Sequence, residues 1–311
     1  MTSLRLLALT CAVLGAMSAQ ASGNLDAARL QAADKEPQNW FTGGRDKDGT
    51  YYSPLSNIDA GNVKQLGFAW AYDLGNPMRG QEATPIVIDG VMYTSGTWGY
   101  VYAVDAATGK ELWRYDPKPN YFIGRHPCCD LVNRGVAVWK GKVYVASTDG
   151  RLHALNAATG KKVWEADTIT DHKLPYSSTG APQIAGGVVV IGNGGADMGH
   201  TAVRGYVAAY DLETGAFKWR FYTVPPAVGQ PYENPELAQA DKTWDSRCVP
   251  RPTTDTRSWV RHTNPPPVSQ LGDLSSCLRA MPSSRRCSFL PKAVCRSCGR
   301  GRRRSRSSRP A

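Results

Sequence analysis

The sequence predicts an all-β fold of the propeller type, followed by a disordered basic tail. Short β-forming runs separated by turn residues begin near Val63 and continue for much of the chain. Four short antiparallel strands joined by hairpin turns form one propeller blade. A motif that combines a turn with a tryptophan then recurs at intervals of roughly 50 residues, which is typical of repeated blades. Together these observations predict several blades in sequence.

The first predicted blade shows the strand and turn pattern most clearly. Asp89-Gly90 and Thr108-Gly109 supply tight turns, because glycine accepts a positive φ and aspartate bonds to the backbone that follows it. Upstream of the blade, residues 24–33 have the apolar spacing of a short helix. The four candidate strands are residues 84–88, 91–95, 100–104 and 111–115.

An Ala-x-Asp/Asn-x-x-Thr-Gly-x-x-x-Trp motif is the strongest organisational signal. It occurs at residues 103–113, 154–164 and 209–219, with tryptophans 51 and 55 residues apart. A weaker forerunner ends at Trp70, 43 residues before the first of them. Asp or Asn caps the turn, glycine takes positive φ, and the tryptophan is expected to pack between neighbouring blades. These tryptophans are therefore predicted to build the scaffold.

Two adjacent cysteines, Cys128 and Cys129, are the most unusual local feature, and Asn133-Arg134-Gly135 follows them closely. Adjacent Cα atoms lie about 3.8 Å apart, short of the usual disulfide range of roughly 4.4–6.8 Å. A bridge between them would therefore close a small, strained ring that acts as a stiff, sulfur-rich lid. The alternative is a pair of unrelated buried thiols, since free cysteine is among the most buried residue types.

The first 21 residues have the form of an export signal. A short apolar run at residues 6–14 is followed by Ala19-Gln20-Ala21, which has the small-x-small pattern of a cleavage site. The run is too short to span a bilayer, and no later segment is typical of a membrane span. The alternative is an uncleaved buried helix. We expect a periplasmic or secreted protein, in a compartment where disulfides persist.

The formal net charge of +11 comes from the end of the chain. Residues 246–311 contain 14 arginines and one lysine against two aspartates, whereas the first 245 residues carry 22 basic and 24 acidic side chains. Five of the eight cysteines also lie in this last part. The composition predicts a disordered tail that buries no core. The chain is thus predicted to consist of a signal at 1–21, a propeller portion at 22–245 and this tail at 246–311.

Two hypotheses account for the tail. A GC-rich gene that is translated in the wrong reading frame yields an amino-acid sequence rich in arginine, serine, proline, alanine and cysteine. The composition of the tail therefore indicates a reading-frame shift near Asp245. The alternative is a genuine basic arm that binds nucleic acid or another anionic surface through phosphates. We expect no nucleic-acid partner, because an exported protein rarely needs one. Cys295-x-x-Cys298 is at most half of a zinc ribbon, so no zinc site is assigned.

The repeats and six further motifs, taken in order, resemble the quinoprotein alcohol dehydrogenases. These are periplasmic enzymes that carry pyrroloquinoline quinone (PQQ) and calcium on an eight-bladed β-propeller. The resemblance covers residues 38–245 and implies the N-terminal half of such a propeller, about four blades. The motifs are Tyr51-Tyr52-Ser53-Pro54-Leu55, Glu82-Ala83-Thr84-Pro85-Ile86, Cys128-Cys129-Asp130 with Arg134-Gly135, Thr179-Gly180-Ala181-Pro182, Gly194-Gly195-Ala196-Asp197 and Arg204-Gly205-Tyr206-Val207.

The resemblance also implies roles for individual residues. Glu82 would hold the quinone edge, and Cys128 and Cys129 would form a vicinal disulfide against one face of the cofactor. Arg134 would lie near the quinone oxygens, where a cation stabilises negative charge as the quinone is reduced. Thr179 would bind a PQQ carboxylate through its hydroxyl.

A glycine-rich run would complete this part of the site. Gly194, Gly195 and Ala196 would supply backbone against which the cofactor packs, and Asp197 would be a calcium ligand where the family usually has Glu. Aspartate is one methylene shorter, but calcium accepts oxygen ligands flexibly at about 2.3–2.6 Å. Taken singly, each predicted site residue has an ordinary alternative as a solvated side chain, a surface ion pair or part of a turn.

The resemblance implies oxidation of an alcohol, with calcium as Lewis acid, an aspartate as base and a cytochrome c as electron acceptor. The family's Gly-Thr-Gly-Asn motif, catalytic aspartate and further repeats do not occur after Asp245, so no catalytic residue is assigned. We therefore expect little or no turnover from these 311 residues, and poor stability from exposed apolar faces. The alternative is a non-catalytic propeller scaffold of the cell envelope, which has no reason to combine the Cys doublet with Arg134.

Overall fold

The computed structural model describes residues 22–75, 80–125, 127, 131–195, 203–227 and 229–242. The predicted signal at 1–21 and the predicted tail at 246–311 lie outside these residues. Within the described part of the chain, no helix is long and apolar enough to cross a membrane.

The chain divides into two compact units. Most of the β structure belongs to the first unit, Met1–Gly194 with Val207–Phe221. The second unit is Gly195–Tyr206 with Tyr222–Ala311. The boundary near residue 245 that the sequence predicts stays a prediction.

The first sheet confirms the predicted blade. Its four strands pair antiparallel in the order of the chain, and each end lies within two residues of its predicted position. The first turn is tight because Asp89 and Gly90 both take positive φ, at 53° and 76°. The strands are β1 (Ile86–Ile88), β2 (Val91–Ser95), β3 (Val101–Asp105) and β4 (Glu111–Tyr115).

Two more sheets repeat the topology of the first. Each contains four strands that pair with one another in chain order, and a short extra strand joins the third sheet beside its second strand. The second sheet is β5 (Ala137–Trp139), β6 (Lys142–Ala146), β7 (Arg151–Asn156) and β8 (Lys162–Asp167). The third is β10 (Gln183–Ala185), β11 (Val188–Gly195), β12 (Tyr206–Asp211) and β13 (Phe217–Tyr222), with β9 (Tyr176–Ser177) paired to β11.

Tryptophan side chains lock successive blades together, as predicted from the repeats. The Nε1–H of Trp113 in the first sheet donates to the carbonyl oxygen of Ala157, at 2.9 Å, in the β7–β8 turn of the second. Its indole covers Gly160, where an added Cβ would lie only 2.6 Å from a ring carbon. The same pair of contacts joins Trp70 to Ala106 and Gly109, and Trp164 to Leu212 and Gly215.

Each receiving turn is shaped by its own side chains. In the first turn, Oδ1 of Asp105 accepts hydrogen bonds from the backbone N–H groups of Ala107 and Thr108 and from the Thr108 hydroxyl. Gly109 then takes a φ of 71°, which favours glycine. Asn156 and Asp211 organise the other two turns in the same way. The recurrence of Asx, Thr and Gly in the sequence follows from this geometry.

A hydrophobic core cluster within the described residues involves the first two blades and the N-terminal segment. Ile86 and Ile88 of β1, with Val143 of β6, are almost completely buried. Leu25 and Phe41, which precede the first blade, are buried in the same cluster. The segment before the propeller repeats is therefore part of the core.

The N-terminal helix is shorter than the sequence predicts. Helix α1 (Ala27–Gln31) begins after Asp26, which is in extended conformation and accepts a hydrogen bond from the N–H of Arg29, and a 3-10 turn, Ala33–Lys35, follows. The N-cap therefore moves the helix start three residues beyond residue 24. Arg29 forms ion pairs with Glu36 and with Asp89 of the β1–β2 turn. This links the N-terminal segment to the first blade.

Arg204 organises the described part of the second unit. Its guanidinium donates to the carbonyl oxygen of Val224, pairs with Glu233 and stacks over the Tyr222 ring at 4.1 Å from the centroid. Helix α2 (Pro235–Asp241) follows, with Asn234 as its N-cap.

Candidate functional site

Three of the predicted site residues occupy equivalent places in three blades. Glu82 comes shortly before β1, Arg134 shortly before β5 and Thr179 shortly before β10, and each of these strands is the first of its sheet. The backbone N–H of Arg134 donates to the carbonyl oxygen of Thr179 at 3.0 Å. A parallel bridge also joins Thr84 to Gly135. The segments that enter the three blades are thus joined to one another.

Arg134 connects the other two side chains directly. One guanidinium nitrogen, Nη2, lies 3.1 Å from Oε2 of Glu82, and Nη1 donates to Oγ1 of Thr179 at 2.7 Å. The side chains of Arg134 and Glu82 are 44% and 42% exposed, so the ion pair is open to solvent. The structure therefore brings together three residues that the sequence predicted separately, one from each blade.

Asn133 fixes the backbone that carries Arg134. The Asn133 side chain is 1% exposed, and its Nδ2 donates to the carbonyl oxygen of Ala146 at 2.7 Å. Its Oδ1 accepts from the Ser95 hydroxyl at 2.6 Å and from the N–H of Gly135 at 3.1 Å. Gly135 has a φ of 132°, a conformation that favours glycine. Sequence reasoning noted Asn133 within its motif but assigned it no role.

Trp98 is a second residue that sequence reasoning missed. Its φ is 66°, which is uncommon for a residue with a side chain, and the indole is 6% exposed. The backbone N–H of Trp98 donates to the carbonyl oxygen of Leu131 at 3.0 Å, and its ring lies against Gly124, where an added Cβ would be 2.6 Å away. Gly124 and Leu131 flank the Cys doublet in sequence. No repeat or motif could have drawn attention to this tryptophan.

The glycine-rich run is described only in part. Gly194 and Gly195 end β11, where Gly194 closes the first unit and Gly195 opens the second. An added Cβ on Gly194 would meet no atom of the residues that the structure describes within 4 Å.

Four predicted site residues, Cys128, Cys129, Ala196 and Asp197, lie outside the described residues. Their roles stay predictions. Among the residues that are described, no group of three or more His, Cys, Asp or Glu side chains could hold a metal ion.

A cavity of about 510 Å³ lies beside Arg134 in the first unit. Its wall is mainly apolar and includes Ile86, Val136, Val138 and Ile184. Apolar walls with a few polar groups are typical of sites for organic ligands. Arg134 is the charged residue among those that line it.

A buried polar cluster in the second blade has the residue types of a hydrolytic site. Nε2 of His153 lies 3.1 Å from the Ser147 hydroxyl, and Nδ1 lies 3.1 Å from the Tyr115 hydroxyl and 3.3 Å from a carboxylate oxygen of Glu165. Burial lowers the pKa of His153 to about 4, although the Glu165 carboxylate opposes the shift. Ser147 and His153 are both fully buried, so no substrate reaches the hydroxyl. The cluster is structural.

A family model for "Glucose/ethanol/alcohol dehydrogenase, beta-propeller domain", of the PQQ type, matches residues 40–249. The match covers more than half of the chain. The chain belongs to the PQQ-dependent alcohol dehydrogenase family. The matched range agrees closely with the 38–245 of the sequence resemblance, so that identification and the propeller fold are both confirmed.

Relatives of this quinoprotein family resemble the chain over about three quarters of its length. The quinohemoprotein alcohol dehydrogenase ADH-IIG of Pseudomonas putida is 55% identical over 229 residues, which cover 74% of this chain and 31% of the relative. The solved structure of ADH-IIG superposes with a TM-score of 0.69, covering 73% of this chain and 32% of that one. The 1-butanol dehydrogenase (cytochrome c) of Thauera butanivorans is 48% identical, covering 77% and 32%.

A more distant structure extends the family comparison. A europium-containing methanol dehydrogenase is 36% identical, with a TM-score of 0.59, and the match covers 64% of this chain and 34% of that one. The chain thus spans about a third of the length of the quinoprotein relatives it matches.

Proposed function

We propose that this chain provides part of the PQQ- and calcium-dependent active site of an enzyme that oxidises alcohols to aldehydes. The contact of Arg134 with Glu82 and Thr179 carries the proposal, because it gathers charged and polar groups from three blades at one exposed point. The alcohol dehydrogenases among the family relatives support the reaction type.

The described residues fit an anionic, planar quinone. A guanidinium has five N–H donors in a fixed plane, more than its contacts with one carboxylate oxygen and one hydroxyl require. The largely apolar cavity that Arg134 helps to line is suited to a flat aromatic ring system. When bound, PQQ would supply the two-electron redox chemistry that oxidation of an alcohol to an aldehyde needs.

The protein's own side chains hold and polarise the cofactor in this proposal. Arg134 stabilises negative charge at the quinone oxygens, and Glu82 holds both the quinone edge and the Arg134 side chain in position. Thr179 binds a carboxylate through its hydroxyl. Cys128 and Cys129 form a vicinal disulfide that covers one face.

The remaining roles concern metal, location and electron transfer. Backbone atoms of Gly194, Gly195 and Ala196 pack against the ring system, and Asp197 contributes an oxygen ligand to calcium. The mature protein is exported to the periplasm, as the apolar run and small-x-small pattern before residue 22 suggest. A cytochrome c takes the electrons, in keeping with the name of the butanol dehydrogenase relative.

Binding of PQQ to the full chain tests this function. The proposal expects saturable binding, followed by the quinone absorbance, and a roughly 10–100-fold weaker affinity for Arg134→Gln because a charge-assisted contact is lost. Arg114→Gln is a matched control: Arg114 is 47% exposed and pairs with Glu111 at 2.8 Å, much as Arg134 pairs with Glu82. Equal affinities for the two variants, or no saturable binding to the wild-type chain, would contradict the proposal.

Turnover is a separate question from binding. We expect the 311 residues alone, supplied with PQQ, Ca²⁺ and ethanol, to give little or no dye reduction, because no base is assigned in this sequence. Rapid ethanol-dependent reduction by the isolated chain would show that a base lies within it.

A further inference from the structure

One side-chain contact recurs beside the site residues of the three described sheets. In each sheet, the residue directly before the site residue donates a side-chain hydrogen bond to a backbone carbonyl oxygen of the second strand. The site residues that follow these donors are Glu82, Arg134 and Thr179. The bonds run from Gln81 Nε2 to Ser95 at 2.6 Å, from Asn133 Nδ2 to Ala146 at 2.7 Å and from Ser178 Oγ to Gly192 at 3.0 Å.

The three acceptors occupy the same position in their sheets. Ser95 is the fifth residue of β2, Ala146 is the fifth of β6 and Gly192 is the fifth of β11. The donors, by contrast, are a glutamine, an asparagine and a serine, so the repeat is invisible in the sequence. Because the acceptor is main chain and its position recurs, the contact is a property of the blade and not of one loop.

The register of the first sheet explains why a side chain meets this carbonyl. The paired part of β1 begins opposite Tyr93, and an extension of it would bring Thr84 opposite Ser95. Thr84 instead forms a parallel bridge with Gly135, which is displaced from the second sheet in the same way. The backbone thus leaves its own sheet to join the neighbouring segment, and the side chain of Gln81 supplies a donor in its place.

Ser178 shows most clearly how the contact restricts a site residue. It is 1% exposed, and its backbone N–H also donates to the carbonyl oxygen of Thr148 in the second blade at 3.2 Å. The next residue, Thr179, accepts from the backbone N–H of Arg134 through its own carbonyl oxygen. The backbone of Thr179 is therefore held from two blades, which fixes where its hydroxyl can lie.

We propose that Gln81 and Ser178 are positioning residues for the Glu82 carboxylate and the Thr179 hydroxyl. Each acts through the backbone of its own blade, so Arg134 meets both partners at once only when both contacts are intact. The inference rests on the proposed function for its ligand, an anionic quinone. The arrangement of the three side chains can be measured without that ligand.

Nitrogen-15 NMR of the full chain without PQQ tests the two residues separately. In the wild type, the Nη1 and Nη2 groups of Arg134, identified by their loss in Arg134→Gln, should give separate signals because each meets a different partner. Ser178→Ala should shift the Nη1 signal and Gln81→Met the Nη2 signal, each leaving the other in place. A general loss of stability would not select one nitrogen.

Affinity for PQQ then connects position with the ligand. Ser178→Ala should bind roughly three- to tenfold more weakly than the wild type, and Ser178→Thr, which keeps the hydroxyl, should restore the affinity. Thr179→Val combined with Ser178→Ala should bind no more weakly than Thr179→Val alone, because Ser178 acts through that hydroxyl. Circular dichroism confirms the β fold of each variant before binding is measured.

Thr223→Val is the matched control for Ser178→Ala. The Thr223 hydroxyl also donates to a glycine carbonyl oxygen, that of Gly205 at 2.9 Å, but neither residue precedes a site residue. Its loss should change the affinity by less than about twofold and leave both Arg134 signals in place.

The outcomes separate this proposal from the proposed function. The proposal is overturned if Arg134 gives one averaged signal in the wild type, or if Ser178→Ala and Gln81→Met leave both signals unchanged. It is also overturned if folded Ser178→Ala binds PQQ as tightly as the wild type. Signals that respond as expected in a wild-type chain that binds no PQQ would contradict the proposed function and support the positioning roles.

Discussion

Trp113 and Gly160 belong to neighbouring blades, and the indole ring of Trp113 occupies the space that a Cβ on Gly160 would need. Gly160 has no Cβ, which leaves room for the indole. In the same turn, the carbonyl oxygen of Ala157 accepts the hydrogen bond from the indole N–H. Each contact therefore depends on residues from two blades. The cohesion of the described blades should be sensitive to changes at either member.

Gly160→Ala is expected to destabilise the protein by about 2–5 kcal/mol. Alanine at a φ of 67° costs roughly 1–2 kcal/mol in backbone strain, and displacing the indole adds roughly 1–3 kcal/mol of overpacking. Urea unfolding followed by circular dichroism measures the difference. Gly186→Ala is the control, since Gly186 has a φ of 53° but no atom of the described residues within 4 Å of an added Cβ. Equal losses for the two variants would mean that the Trp113 contact contributes nothing.

Asn133→Ala should cost about 2–4 kcal/mol, because it leaves the buried Ser95 hydroxyl and the Ala146 carbonyl without their partner. It should also lower PQQ affinity, since the Arg134 backbone loses its anchor. Thermal unfolding and a quinone titration measure the two effects. Asn62→Ala, which removes two hydrogen bonds from an exposed turn, should cost less than about 1 kcal/mol and leave the affinity unchanged. Unaltered stability of Asn133→Ala would refute the anchoring role.

Stability should fall as the pH drops from about 6.5 towards 4. His153 has its pKa lowered to about 4 by burial, whereas in the unfolded chain it titrates near 6.5, so the unfolded state binds a proton first. The stability that neutral His153 contributes is therefore complete above pH 6.5 and is lost progressively below it, by roughly 2–3 kcal/mol at most. The charges of Glu165, Arg151, Asp149 and Lys162 also act on the His153 ring, but less strongly than burial does.

Urea midpoints between pH 7.5 and 4.5 measure this dependence. His153→Gln keeps a polar group in place but cannot titrate, so its curve should be flatter than that of the wild type. His172→Gln removes an exposed histidine and should leave the wild-type curve intact. If the His153→Gln and wild-type curves run parallel, the titration of His153 does not govern acid stability.

Local chemistry made the blades predictable from sequence. Asp105, Thr108 and Gly109 act within a few residues of one another, so their spacing is visible in the chain and recurs with each blade. The helix start was misplaced because Asp26, a single capping residue, overrode the apolar spacing around it. The first sheet needed no correction beyond its strand ends.

The sequence predicted which residues belong to the candidate site but not which of them contact one another. Glu82, Arg134 and Thr179 lie about fifty residues apart, and their contacts depend on how blades are placed side by side. Asn133 and Trp98 were missed because their partners, such as Ala146 and Leu131, bond through backbone atoms that carry no sequence signal. A residue that supports a site by bonding to the backbone of another element cannot be recognised from a sequence pattern, because any residue type can supply that backbone.

The direction of the interlocking contacts bears on how such a chain emerges from the ribosome. Trp70, Trp113 and Trp164 each reach forward, to a turn that is translated later. A newly made blade consequently keeps its indole in water until the next one has appeared, and folding advances one blade behind synthesis. If translation stops after a given blade, the docking tryptophan of that blade has no following turn to cover it, and it stays exposed to chaperones and proteases.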